Sequence, residues 1–255
     1  MNKILCLLCF YFLFSACTSE KQRVNEEVIT MPEQSEASDP TTPRVNFFQV
    51  EKIAPYPDAI LELHTPLGNQ KFKPGKVPFE FNIKNFPFEL GASKEFKLFN
   101  ILNGGDPVGF YAPIFQRDLT EGSYRVVAYL VDEEGLTLKS FGNYVDRDFE
   151  VGDSRPFPYS AEPYLAVNYP RNSQVFEAGQ EVIVDFLVVG GDMKLDGLKV
   201  MISVNDAEYS ISTMNAVRVE NLPKGDYIVR VRLLREDDKE LAGPFSSVSK
   251  SIIVR

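Results

Sequence analysis

The feature that most constrains this fold is an internal repeat with a period near 103 residues. Pro55-Tyr56 recurs as Pro158-Tyr159, and Pro66, Gln70, Phe72 and Gly75 recur as Pro170, Gln174, Phe176 and Gly179. Leu119, Gly122 and Tyr124 return as Leu222, Gly225 and Tyr227, and Phe149 and Val151 as Ile252 and Val254. A register held this steadily across a whole unit means two copies of one domain, at 53–152 and 156–255, joined by the short connection GDSRP. So short a connection predicts a semi-rigid rod. Within each copy apolar residues alternate. Val77, Phe79, Phe81 and Ile83 match Val182, Val184, Phe186 and Val188, and Leu198, Val200, Ile202 and Val204 alternate with polar or flexible neighbours. Alternation places one side of each strand in a core and the other toward solvent. Turn residues cluster between the runs and no helical period is sustained, so the expectation is all-β, a sandwich or barrel.

The segments LTEGSY and LPKGDY each precede an alternating strand. Leu-x-x-Gly-x-Tyr at the entry to a late strand resembles the tyrosine corner of Greek-key sandwiches, whose tyrosine hydroxyl bonds back to the backbone. Tyr124 and Tyr227 would fill that role; the alternative is a plain core aromatic. With EGSYRVVAYLVDEEG, KGDYIVRVRLLREDDK and the terminal RDFEV and KSIIV in view, both copies resemble the immunoglobulin-like or fibronectin III-like repeats of many Bacteroidota extracellular proteins. The resemblance implies two tandem immunoglobulin-like Greek-key β-sandwiches. It specifies a fold and not an activity. The paired cysteines and core tryptophan of antibody-type domains are absent.

The N-terminus is of another kind. Lys3 precedes the apolar run Ile4 to Ala16, which is shorter than the roughly 20 residues a spanning helix needs and suits a signal peptide, 1–16. Phe14-Ser15-Ala16-Cys17 resembles a bacterial lipobox, which implies lipidation at Cys17, with ordinary secretory cleavage as the alternative. Acyl chains there would hold the chain on a membrane at about 0.8 kcal/mol per buried methylene. Residues 17–52 are then the lipidated cysteine and a disordered tether, polar and acidic from Thr18 to about Asn46. All three cysteines (Cys6, Cys9, Cys17) lie in or at the end of the signal, which excludes disulfides, zinc fingers and cysteine nucleophiles from the domains. The net charge of −9 disfavours nucleic acid as a partner.

Catalytic signals are sparse. The sole histidine, His64, falls on a predicted strand with no glycine-flanked nucleophile motif nearby. Asp132, Glu133 and Glu134 and their counterparts Glu236, Asp237 and Asp238 read as solvated turns, and GGDMKLDG (190–197) lacks the regular spacing of a calcium loop. No catalytic residue, cofactor or metal is expected. Two features suit binding. Domain one holds eleven phenylalanines against four in domain two, and Phe86, Phe88, Phe110 and Tyr111 fall in predicted loops, either as a partner-binding end or folded back over the core. Arg230 and Arg232 share one strand face, with Arg218 on a neighbouring strand, a face for an anionic ligand or simply a charged exterior. The sequence thus implies a non-catalytic lipoprotein of the cell envelope, most simply the outer membrane, facing the periplasm or the surface. It would bind, adhere or assemble with another envelope protein; the alternatives are surface glycan capture and an enzyme with an unrecognised acidic site.

Overall fold

The computed structural model describes residues 44–52, 54–88 and 95–255. The expected signal peptide, the expected lipidation site Cys17 and most of the expected tether lie outside them. Every regular element described is a strand. After β1 (Asn46–Gln49), the first sandwich is built from β2 (Ile60–Thr65), β3 (Gln70–Phe72), β4 (Gly75–Lys84), β5 (Leu98–Leu102), β6 (Val108–Phe110), β7 (Ile114–Leu119), β8 (Gly122–Leu130) and β9 (Tyr144–Val151). The second repeats it as β10 (Tyr164–Tyr169), β11 (Gln174–Phe176), β12 (Val182–Val189), β13 (Leu198–Val204), β14 (Ala207–Ile211), β15 (Val217–Glu220), β16 (Gly225–Arg235) and β17 (Ser247–Val254). The sheets correspond strand for strand: β2-β4-β7 with β10-β12-β15, and β3-β9-β8-β5-β6 with β11-β17-β16-β13-β14. In each five-stranded sheet the short strand β3 or β11 runs parallel to the last strand of its copy. A bulge at Leu63/Thr65 returns at Val167/Tyr169. This is the strand order of an immunoglobulin-like Greek key.

The inward residues read from alternation form the cores. Val77 and Phe79 are fully buried with Val126, Phe149 and Val151 in one, and Val182, Val184 and Phe186 with Val200, Ile202 and Val231 in the other. Each corner tyrosine donates to the carbonyl four residues earlier, Tyr124 to Thr120 O at 3.0 Å and Tyr227 to Pro223 O at 2.8 Å. The Tyr124 ring also stacks on Phe149. A backward bond of this kind fixes the strand entry by satisfying a carbonyl that has no ladder partner.

Two expectations are corrected. The stretch before the first sandwich is not wholly tether: β1 pairs antiparallel with the outer edge of β15, in the second sandwich, with Phe47 opposite Val219. Val45 and Phe47 pack on that core, and Phe47 stacks on Tyr209 at 5.4 Å. An aromatic pair just after the polar stretch supplies burial the stretch itself lacks. Nor is the GDSRP connection the sole link of a rod. The outer face of β5 and β8 (Phe99, Ile101, Val127, Tyr129) packs on the outer face of β10 and β12 (Tyr164, Ala166, Leu187, Val189) in a third apolar cluster. Gly104, at φ +66°, lets the second sandwich close in, since a Cβ there would stand 2.7 Å from the Phe245 ring.

Tyr124→Phe and Tyr227→Phe are each expected to cost about 0.5–1.5 kcal/mol, and additively, because the sites share no partner. Urea unfolding of the single and double variants checks this, and no loss in either would deny the corner a structural role.

Candidate functional site

The two sandwiches are joined below their apolar seam by a buried polar network. Asp185 is fully buried on β12. Its carboxylate accepts from Thr137 N at 2.9 Å, Thr137 Oγ1 at 3.1 Å, Asn168 Nδ2 at 2.8 Å and Lys139 Nζ at 2.6 Å. Lys139 also donates to Phe186 O at 2.5 Å and to the Thr137 hydroxyl. Tyr129 donates to Asn168 Oδ1 at 2.9 Å, and Asn168 Nδ2 to Gly135 O at 2.9 Å. Burial pushes Lys139 below the ordinary lysine range, with Asp185 acting in the opposite sense, and burial pushes the Tyr129 hydroxyl well up. The Lys139 ammonium makes three contacts and the carboxylate four, so the ion pair meets the demand that buried charges be fully hydrogen-bonded. A small cavity of about 210 Å³ above it is also lined by Lys52 and Asp132, which pair at 2.6 Å. Its charges are paired with one another.

Beside this network a wider groove of about 770 Å³ opens between the sandwiches, walled by Tyr144 and Asp146 on one side and Met193, Lys194 and Met214 on the other, with Phe141 at its lip. Phe141 is 99% exposed. Its turn is nonetheless tightly built: Ser140 N–H donates to Asn143 Oδ1 and Asn143 N–H to Ser140 O, each at 3.0 Å. Buried Asn143 donates in turn to Ala59 O at 2.7 Å. Leu195, 85% exposed, follows the groove-lining Lys194 on a single turn. Asp192 Oδ1 caps it by accepting from the N–H groups of Lys194 at 2.9 Å and Leu195 at 2.7 Å. Phe141 and Leu195 are thus exposed on braced turns, while Met193 is buried in the second core and Met214 packs against it. The groove carboxylates are engaged: Asp146 accepts the Tyr164 hydroxyl at 2.8 Å, and Asp192 is held by the two N–H groups it caps. Burial, with Asp146 beside it, pushes the Tyr164 hydroxyl up.

The residues singled out from sequence do not gather here. Phe86, Phe88 and Phe110 pack on the first core. Phe86 lies edge-on to Tyr56 at 5.2 Å, and Phe110 ends β6, stacked on Phe115. Tyr111 is half-exposed against Phe96 at 4.0 Å. Among the described residues no ring contact joins the Phe86 pair to the Phe110–Tyr111 group. The arginine row is also corrected: Arg230 and Arg232 lie on β16, but Arg218 lies on β15 in the opposite sheet, because the chain switches sheets between the two strands. Arg232 pairs with Glu208 at 2.8 Å and Arg218 with Glu220 at 2.8 Å, while Arg230 Nε donates to Ser249 Oγ at 3.3 Å. Asp132 is corrected from a solvated turn to a buried cap, its Oδ1 accepting from Glu134 N and Leu136 N at 2.9 Å. His64 is an exposed strand residue, 3.8 Å from Glu62.

No protein-family model matches the chain, and no curated protein matches it in sequence. Similar solved structures include the fibronectin(III)-like modules of CbhA from Clostridium thermocellum, 13% identical over 77% of this chain and 94% of that one, with a TM-score of 0.30. Three N-terminal domains of the outer capsid protein Hoc of bacteriophage RB49 are 11% identical over 77% and 70%, at 0.22. A protein of Corynebacterium diphtheriae described as membrane anchored is 12% identical over 75% and 58%, at 0.24. At such scores these likenesses add nothing to the strand order and register, on which the sandwich assignment rests.

Asp185→Ala would strand the Lys139 ammonium at the interface and is expected to cost about 3–5 kcal/mol, lowering the thermal midpoint by roughly 10 °C. Glu208→Ala, which removes an exposed partner of Arg232, should leave the midpoint unchanged. Calorimetry on both variants checks the contrast.

Proposed function

We propose that this chain is a non-catalytic envelope lipoprotein that captures a protein partner in the groove between its sandwiches. The observation that carries the reading is Phe141, almost wholly solvent-exposed on a turn whose backbone is hydrogen-bonded on both sides. Exposing a large aromatic ring has no folding benefit, and holding it rigid lowers the entropy lost on docking. Interface hot spots are of this kind, an aromatic anchor beside a groove. Glycan capture is less well supported. Arg218 and Arg232 are held by glutamates and Arg230 by Ser249, and the aromatics at the loop end lean on their own core. The lipid at Cys17 would place the module on a membrane, most simply the outer membrane.

The test is crosslinking in cells with a tagged full-length chain, with and without Phe141→Ser. A protein captured stoichiometrically by the parent and at least tenfold less by the variant is the expected result, with the thermal midpoint unmoved. Equal capture by both would discard the groove. Membrane attachment is checked separately by feeding cells an alkyne-tagged fatty acid. The parent should take up the label and fractionate with membranes, and Cys17→Ala should lose both properties; membrane retention without label would reject the anchor.

A further inference from the structure

A site outside the groove emerges when the two copies are superimposed by register. In the second sandwich the outer edge of β15 is covered by β1. Phe47 faces inward there, opposite Val219 and over Tyr209. The counterpart of β15 in the first sandwich is β7, and among the described residues nothing pairs with its outer edge. Register makes the correspondence specific. Val77 and Phe79 oppose Arg117 and Phe115 as Val182 and Val184 oppose Val219 and Val217, so Arg117 stands in the place of Val219. In the facing sheet Asn100 pairs with Ala128 and Val108 as Ile202 pairs with Val231 and Tyr209, so Asn100 stands in the place of Ile202 and Val108 in that of Tyr209.

Two of the three positions under Phe47 are therefore polar in the first sandwich, Arg117 and Asn100 beside Val108, and among the described residues no strand lies above them. Asn100 is fully buried. Its Oδ1 accepts from Arg117 NH1 at 2.7 Å, and its Nδ2 has no hydrogen-bond partner. Arg117 is half-buried, and no carboxylate among the described residues lies within 4.0 Å of it. Burial lowers its pKa, with the Tyr124 hydroxyl acting in the opposite sense and no carboxylate beside it. A desolvated guanidinium without a counter-charge is costly, and an open strand edge is a template for pairing. Ile114, 65% exposed at the start of that edge, adds apolar surface for an incoming strand.

We propose that the outer edge of β7 accepts an extended strand from a partner protein, antiparallel as β1 is to β15, with an aspartate or glutamate facing Arg117 where β1 has Phe47. This is strand addition, in which backbone bonds give affinity and inward side chains give selectivity. It is independent of the groove. The carboxylate would complete the hydrogen bonding of both Arg117 and the Asn100 amide.

The probe is a synthetic peptide of residues 44–50 carrying Phe47→Glu, set against the same peptide with Phe47→Lys, each titrated into the full chain by fluorescence anisotropy. The glutamate peptide is expected to bind at least tenfold more tightly, and Arg117→Met in the protein to abolish that preference. Arg117→Met is an apolar change at a core-facing position and should keep the fold, checked by its thermal midpoint; Arg117→Lys, which retains charge, gives a second reading. Location is set by disulfide crosslinking. With Cys in place of Phe48 in the peptide, Gln116→Cys should trap it, because residue 116 matches Arg218, the partner of Phe48 in β1. No binding, equal binding of the two peptides, or trapping at Arg218→Cys in place of Gln116→Cys would overturn the proposal.

Discussion

The contact on which the rest of this structure depends is the seam between the sandwiches, where Phe99, Ile101, Val127 and Tyr129 meet Tyr164, Ala166, Leu187 and Val189. Burying large apolar side chains contributes about 1.5–3 kcal/mol each, so the seam is a core in its own right. Apolar contact is not directional, and it alone would tolerate sliding of one sheet face over another. The network on Asp185 supplies the missing specificity. Thr137 and Lys139 come from one sandwich, Asp185 and Asn168 from the other, and a slip of one residue would leave a buried carboxylate and a lysine unpaired. At the seam's margin Arg125, held to Asp148 by two bonds of 2.6 Å, lies over the Tyr164 ring at 4.7 Å. The groove owes its shape to this fixed register, since its two walls belong to different sandwiches.

The repeat also explains why the seam occurs once. The positions of Val127 and Tyr129 are taken in the second copy by Arg230 and Arg232, and those of Phe99 and Ile101 by Met201 and Ser203. On the other partner's side, Ala166 and Asn168 correspond to Glu62 and His64, and Leu187 and Val189 to Asn82 and Lys84. Glu62 accepts from Asn82 and Lys84 at 2.8 Å, forming a polar face. Faces that meet are mainly apolar and their outward copies are mainly polar or charged, as in repeat arrays whose end units need polar caps to stay soluble. The arginine pair therefore has a structural explanation in the array itself, and an anionic ligand is not needed to account for it.

Much of this was legible in the sequence. Period-two alternation gave the inward faces of β4, β12 and β13, and the repeated Leu-x-x-Gly-x-Tyr gave both corner tyrosines, because each rests on local spacing. What alternation could not show is where an outward face is covered. The signal was present in the unbroken runs VVAYLV at 126–131 and DFLVV at 185–189, since a strand buried on both sides loses its alternation. Asp132 and Asp185 look like any surface acids in sequence; burial is a tertiary property that only the chain's return can confer. Phe141 was hidden for the converse reason. Phenylalanine is usually buried, and nothing local marks the one that the fold leaves outside. β1 was missed because four residues with two aromatics have no partner within reach, and their edge lies some 170 residues along the chain.

That long-range pairing bears on how the groove can act. The segment carrying β1 lies on the second sandwich through Phe47, and three residues beyond β1 Lys52 reaches the first through Asp132 and Glu134. It therefore spans both bodies across the seam, adding a third tie to the apolar cluster and the Asp185 network. In the capture proposed above, a partner would meet walls that are already placed, and the ordering cost that usually offsets interface energy would fall mainly on the partner. Such an arrangement would favour slow dissociation over broad adaptability, because the anchor at Phe141 sits on a braced turn and the groove methionines are packed on the second core. Selectivity would then rest on the shape the partner offers Phe141 at the groove's lip more than on charge, since the groove's carboxylates are already engaged.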